Sequence, residues 1–323
     1  MQYRQVIPAR FIARPNRVVA HTETADGPVT VHVKNTGRCA ELLRPGATVW
    51  LTPGENPARK TPYDLIAVEK PTDRGTLLIN MDSAAPNAAA GEWLAAGGLG
   101  PLTELRAESR MGASRFDFSA RSAGTPMLVE VKGCTLEENG LARFPDAPTQ
   151  RGLKHVQELT ALAQQGWRCA VLIVIQMKDV HSFTPNWDTH PAFGHALAAA
   201  QAAGVEIHAV DCLVTPDSVT IDAPVPVYMD APVRLLDLPT ASPIIYTYIS
   251  QSTRRGLDPG TSRRVLFSNH RAIPYTIRCK APQGCAADVP GWPGTSPGTP
   301  PGRYRAVCSG QSIPWQSPAE SSE

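Results

Sequence analysis

The stretch Leu128-Val129-Glu130-Val131-Lys132 decides how the middle of this 323-residue chain is read. Side chains of a β-strand alternate with a period of two. Glu130 and Lys132 therefore fall on one face, and Val129 and Val131 point into the core. Upstream, Ser114-Arg115-Phe116-Asp117-Phe118 alternates likewise, with Phe116 and Phe118 inward and Asp117 outward. Pairing of the two strands as a hairpin brings Asp117 beside Glu130. Two carboxylates and a strand carbonyl are hard oxygen ligands suited to one Mg²⁺ or Mn²⁺, so Asp117 and Glu130 are the candidate metal ligands. Lys132 is a candidate catalytic residue that would position or deprotonate an attacking water and offset phosphate charge, while the metal acts as Lewis acid and template. Glu108, one strand earlier in Ala107-Glu108-Ser109-Arg110, is a second catalytic candidate, as a third acid or an orienting group. The competing reading is an ordinary ion pair on a solvated face.

The flanking elements place this pair of strands in an α/β (α+β) domain over residues 83–229. A helix is predicted over Pro86–Ala96, with Pro86 in its first turn and Gly97-Gly98 at its end. Strands follow over Leu105–Arg110, Arg115–Ala120 and Met127–Lys132. Thr149 reads as the N-cap of a helix over Gln150–Gln165, whose apolar positions Leu153, Val156, Leu159 and Leu162 follow helical spacing. Arg168–Gln176 is a continuous apolar run, as in a strand at the centre of a sheet. A helix over Pro191–Ala203 and a strand over Val205–Val210 complete the order α-β-β-β-α-β-α-β. No GxSxG, P-loop or GxGxxG pattern is present.

Residues 1–82 read as a separate β domain of short strands over 10–13, 17–22, 30–33, 48–51, 64–69 and 76–80. Asp26-Gly27-Pro28, Pro45-Gly46 and Pro53-Gly54 punctuate them, which suits a small OB-like or SH3-like barrel. Residues 230–323 form a Pro/Gly/Arg-rich tail without lasting apolar periodicity, and this composition predicts disorder.

The chain has 31 Lys+Arg and 29 Asp+Glu; ten and six of these lie from Asp230 onward, leaving 21 basic against 23 acidic residues in 1–229. A body of net −2 must bind nucleic acid through local patches, not a global positive field. Arg115, Arg151 and Lys154, around the proposed metal site, are candidates, and the opening of the helix after Thr149 suits a phosphate. The seven cysteines, at 39, 134, 169, 212, 279, 285 and 308, form no CxxC pair and read as reduced structural thiols. His155 has no His, Asp or Cys partner at zinc-ligand spacing. The sequence carries no long apolar span and no secretory signal at its start, so a cytoplasmic location without membrane attachment is expected.

Several separate motifs, in order, resemble the sugar fermentation stimulation protein (SfsA) family. They are Asn35-Thr36-Gly37-Arg38 with Glu41-Leu42-Leu43, then Ser114-Arg115-Phe116-Asp117-Phe118, Val129-Glu130-Val131-Lys132-Gly133, Phe144-Pro145-Asp146-Ala147-Pro148-Thr149, and Arg151-Gly152 with Lys154-His155. The resemblance covers residues 5–227. It implies an OB-like N-terminal domain, a PD-(D/E)XK nuclease-like domain, DNA as partner and a role in regulating sugar (maltose) metabolism. Asp117, Glu130 and Lys132 fall on its nuclease-motif positions and Glu108 on the preceding acidic one. The chain departs from the family at Glu108-Ser109-Arg110-Met111-Gly112, where a Glu-Val-Lys-Tyr-Gly type run is usual. Asn35, Thr36 and Arg38, on a loop of the β domain, form a second candidate DNA patch. Three functions follow: a DNA-binding regulator that keeps the nuclease fold, a Mg²⁺/Mn²⁺-dependent DNA nuclease, or a nucleic-acid or nucleotide binding module acting through the β domain.

Overall fold

Six strands open the chain: β1 (Ile7–Asn16), β2 (Val19–Thr24), β3 (Gly27–Val33), β4 (Thr48–Pro53), β5 (Tyr63–Thr72) and β6 (Gly75–Asn80). In this computed structural model the described residues are 1–231, except Thr36, Pro57 and Ala113, together with 305–308 and 311–314. Antiparallel pairings β1–β2, β2–β3, β1–β4 and β4–β5 are closed into a ring by a parallel pairing of β3 with β5. This five-stranded closure is the OB arrangement, and it decides between the two barrel types. Its interior holds Phe11, Val31, Val49, Leu51, Leu65 and Val68, all buried.

The second part of the chain carries α1 (Ala85–Ala95), β7 (Thr103–Met111), β8 (Ser114–Ser122), β9 (Thr125–Cys134), β10 (Leu136–Glu138), β11 (Leu141–Phe144), α2 (Gln150–Gln164), β12 (Arg168–Ile175), β13 (Ser182–Pro185), α3 (Pro191–Ala202), β14 (Glu206–Thr215) and β15 (Ser218–Pro224). Its main sheet has the order β15-β14-β12-β9-β8-β7, with β12 parallel to both β9 and β14. Helices cover both faces, so β12 is apolar throughout. Ala170, Leu172 and Val174 join Ala89, Ala90 and Leu94 of α1 in one cluster. Cys169, Val171, Ile173 and Ile175 join Val156 and Leu159 of α2 and Phe193 and Leu197 of α3 in the other.

The short sheet β10-β11-β13 and the strand β15 have no counterpart among the elements expected from sequence. The strands of that sheet, three or four residues each, are too short for alternation to register, whereas β15 alternates in burial over seven residues. Thr149 caps α2 as its position suggests: its hydroxyl oxygen accepts from the Gly152 N–H at 3.0 Å.

Residues Met1–Met229 form one unit, and Asp230–Glu323 a second. Within the first unit the barrel is joined to the sheet through buried polar groups. The Gln176 side-chain amide donates to Asn80 Oδ1 at 2.9 Å and to the Asp82 carbonyl at 3.0 Å. Asp82 is fully buried and meets Lys34 Nζ at 2.7 Å. Burial of Tyr3, and after it the negative charge of Asp82, pushes the Tyr3 hydroxyl above its ordinary pKa. Lys70 of β5 reaches Glu137 Oε2 at 2.6 Å. In the second unit β16 (Arg305–Cys308) and β17 (Gln311–Pro314) pair as an antiparallel hairpin. The disorder expected of the tail from its composition falls otherwise outside the described residues. Among the described residues, no helix is long and apolar enough to cross a membrane.

Candidate metal and nucleic-acid site

β8 and β9 pair antiparallel from Ser122↔Thr125 to Phe118↔Val129, and the ladder stops there. One step further on, Asp117 faces Glu130. Its carboxylate takes over the role of the backbone: Asp117 Oδ2 accepts from the Val131 N–H at 2.8 Å. Asp117 Oδ1 accepts from Asn87 Nδ2, on α1, at 2.7 Å. On the other side of β8 the pairs Ala107↔Phe118 and Ser109↔Phe116 keep one register, which puts Glu108 opposite Asp117, and Glu108 has φ +55°.

The expected alternation breaks at this point. Phe116 packs against the His155 ring of α2, with centroids 5.5 Å apart, while Phe118 sits in the cluster with α1. Phe116 and Phe118 thus leave on opposite faces, and Asp117 lies between them.

Glu130 also differs from the expectation of an outward side chain. It is only 2% exposed, because α2 covers its face of the sheet. Both Lys132 Nζ and His155 Nδ1 contact Glu130 Oε1. A carboxylate oxygen can only accept, so Nδ1 of His155 carries the proton in this contact. Glu130 Oε2 is buried without a hydrogen-bond partner. Asp117, Glu130, Val131 and Lys132 line one cleft of about 260 Å³ together with Ser83, Asn87, Thr149, Arg151 and Gly152. Among the described residues no group of three His, Cys, Asp or Glu is poised for a metal, so this cleft offers two carboxylates.

The remaining candidates divide. Arg151 is exposed and lines the cleft, and Lys154, three residues on, is exposed beside Glu158 at 3.7 Å. Glu108 is exposed on the edge strand β7, where it meets Arg115 at 3.5 Å. It lines a second hollow with Arg106, Arg110 and Arg121, and not the cleft of Asp117. Neither Glu108 nor Arg115 lines the cleft of the two carboxylates. On the barrel, Arg14 organises the Asn35–Arg38 loop by donating to the carbonyls of Asn35, Gly37 and Arg38 at 2.6, 3.0 and 2.7 Å. The Arg38 N–H donates to Asp146 Oδ2 at 3.1 Å, leaving the Arg38 side chain exposed. A Cβ at Gly37 would collide with that Asp146 carboxylate, which explains a glycine in this loop. Thr36 lies outside the described residues.

Two residues of the site are given no role by sequence spacing. Asn87 stands alone in an Ala-rich helix. His155 lacks partners at zinc-ligand spacing, yet its partner is the carboxylate of Glu130, which only the packing of α2 brings near. The cysteines at 39, 134, 169 and 212 are free and buried. Burial pushes the Cys134 thiol up to about 12, which suits a structural thiol.

Residues 12–79 match the SfsA N-terminal OB domain, and residues 84–218 match the sugar fermentation stimulation protein RE (restriction endonuclease-like) domain. The sugar fermentation stimulation protein homolog of Desulfitobacterium hafniense (strain DSM 10664 / DCB-2) is 48% identical over 219 residues, covering 68% of this chain and 94% of that protein. The chain belongs to the sugar fermentation stimulation protein family. The homolog from Clostridium beijerinckii is 46% identical over 222 residues, covering 68% of this chain and 96% of its own. The solved structure of Pyrococcus furiosus SfsA in complex with Ca²⁺ superposes with a TM-score of 0.63 at 26% identity, over 71% of this chain and 98% of that one. The nuclease-like domain of this SfsA homolog thus contains the cleft, and an SfsA protein has been solved with a hard divalent cation.

Proposed function

We propose that this SfsA homolog binds DNA across the cleft and holds one Mg²⁺ or Mn²⁺ between Asp117 and Glu130. The observation that carries the reading is the state of Glu130. One of its oxygens has two donors, and the other is buried with none. A buried anionic oxygen left unpaired is costly, and a divalent cation supplies the missing partner. Two carboxylates from adjacent strands, each held by a further group, suit a hard cation. The Ca²⁺ complex of the Pyrococcus protein points the same way.

The DNA backbone would run along the cations that surround the cleft. Arg151 and the N-terminus of α2 suit a phosphate, and Lys154 continues the positive rim. Asn35 and Arg38 extend it onto the barrel. Arg38 is the exposed cation there, and its loop is held against Asp146 of the nuclease-like domain. Through DNA binding the protein would take part in the sugar-fermentation role for which its relatives are named, with maltose-metabolism genes as the expected target.

The second reading, hydrolysis of phosphodiesters, is favoured by Lys132, which lies in the same cleft as the two carboxylates. A bound divalent ion supplies Lewis-acid polarisation and a more acidic water. Lys132 would place its ammonium beside the attacked phosphate and offset its charge, or, as the neutral amine, accept a proton at Nζ from the attacking water. Arg151 would orient the phosphate oxygens.

The test is incubation with plasmid and single-stranded DNA in Mg²⁺, Mn²⁺ or EDTA, with affinity measured against salt. Micromolar binding that weakens steeply with salt is expected, at a slope of about 0.9 per phosphate neutralised. If the protein cleaves, Lys132→Ala should lower cleavage far more than binding, because its contribution is made in the transition state. Absence of salt-dependent DNA binding at low ionic strength, with and without Mn²⁺, overturns the proposal and leaves a nucleotide-binding role of the β domain.

A further inference from the structure

The two carboxylates of the cleft are held from opposite faces of the sheet. Asn87, on α1, donates to Asp117 at 2.7 Å. His155, on α2, is 5% exposed and contacts Glu130 through Nδ1. The ring of His155 is itself fixed by Phe116, 5.5 Å away between centroids, in the cluster formed by Val156, Leu159 and the odd residues of β12. A buried Glu side chain has several rotatable bonds, and without a fixed donor it would lose the one orientation in which Oε1 is satisfied and Oε2 is left bare.

We propose that His155 is a positioning residue of the metal site. It pins Glu130 through Oε1 and so leaves Oε2 as the atom that takes the cation, while Asn87 and the Val131 N–H together fix the orientation of the Asp117 carboxylate. This inference rests on the metal site proposed above. Lys132 shares Oε1 but does not replace His155. Its ammonium sits on a flexible four-carbon stem, whereas the His155 ring is wedged between Glu130 and Phe116. The two donors therefore separate in role: His155 is fixed by packing, and Lys132 is free to turn toward a phosphate. Loss of a group that orients a metal ligand costs about 10–100-fold in metal affinity.

The experiment is calorimetric titration of the full chain with Mn²⁺ alone, for the natural protein, His155→Gln, His155→Leu and Asn87→Ala, with thermal melts of each. His155→Leu removes the donor and keeps the side chain apolar against Phe116. It should bind Mn²⁺ about 10–100-fold more weakly while melting cooperatively. His155→Gln retains an N–H donor and should recover most of that loss, which a purely structural role of the ring would not predict. Asn87 is exposed on α1, so Asn87→Ala tests the same arrangement even if His155→Leu does not fold. It should bind about tenfold more weakly. Folded variants that bind Mn²⁺ within about threefold of the natural protein, well short of that loss, overturn the positioning role and leave the metal site standing. A natural protein that binds no Mn²⁺ overturns the metal site itself, and the positioning role with it.

Discussion

The Glu130–Lys132 pair of the cleft and the Glu108–Arg115 pair of the open edge are each an acid beside a cation in one sheet, and they behave as opposites. Glu108 is 71% exposed and Arg115 53% exposed, 3.5 Å apart. Such a pair in water contributes little, because each partner has solvent as an equally good alternative. Glu130 is 3% exposed at its side chain, and Lys132 beside it 14%. Solvent does not reach in to satisfy a missing bond there, so each oxygen of the carboxylate needs a partner of its own. The contrast comes from cover: α2 lies over Glu130, whereas β7 is the outermost strand of its sheet among the described residues. An acidic residue next to a cation becomes chemically informative when the fold removes its solvent.

The largest expected effect breaks the buried side of this contrast. Asp117→Asn combined with Glu130→Gln should abolish Mn²⁺ binding in calorimetry, with cooperative melting retained. An affinity equal to that of the natural protein would erase the distinction between cleft and edge.

A second buried carboxylate sharpens the contrast without metal. Glu137 is 2% exposed, paired with Lys70 at 2.6 Å, and it also accepts from the Gly140 N–H. Glu137→Ala should cost about 2–4 kcal/mol in urea unfolding, since it strands the Lys70 ammonium at a partly buried position. Burial alone would raise the Glu137 pKa, but the Lys70 ammonium and the Gly140 N–H hold it below the usual carboxylate range. A carboxyl depressed in the folded state stabilises above its unfolded pKa, and that contribution is lost as pH falls through the folded value. The natural protein should therefore lose melting temperature below about pH 4.3, the ordinary Glu value, more steeply than Glu137→Gln. Equal acid slopes would show that the pair contributes nothing.

Arg151 and Arg115 compare the two regions as DNA contacts. Arg151→Ala should lower the salt slope of DNA binding by about 0.9, the loss of one phosphate contact. Arg115→Ala should lower it less, because Arg115 lies on the edge beside Glu108 and away from the cleft. The reverse order would move the DNA path onto the β7 edge.

The smallest effect is expected at Glu108. Glu108→Ala should change stability by no more than about 0.5 kcal/mol and leave Mn²⁺ affinity within about twofold, as for a surface position. A loss of about tenfold, the scale of a disturbed metal ligand, would place Glu108 at the metal despite its exposure.

Much of the fold is legible in the linear chain. Period-two alternation over 127–132 and the apolar run at 168–176 report a strand beside the site and a strand covered on both faces, because local geometry ties side-chain direction to sequence spacing. Thr149 reads as a cap because a hydroxyl at that place satisfies a helix N–H whatever surrounds it. The approach of Asp117 to Glu130 is likewise contained in the hairpin register. The sheet β10-β11-β13 is not legible, since three or four residues carry too little period.

What the linear chain does not decide is which face is closed to water. The same alternation describes an exposed face and a face under a helix, and only the packing of α2 makes Glu130 a buried carboxylate with one oxygen unpaired. Nor does it show that the alternation breaks at Asp117, where Phe116 and Phe118 leave β8 on opposite faces. The partnership of His155 with Glu130 spans 25 residues and joins a helix to a strand. Such contacts depend on where the elements come to rest, and sequence spacing determines direction only within one element at a time.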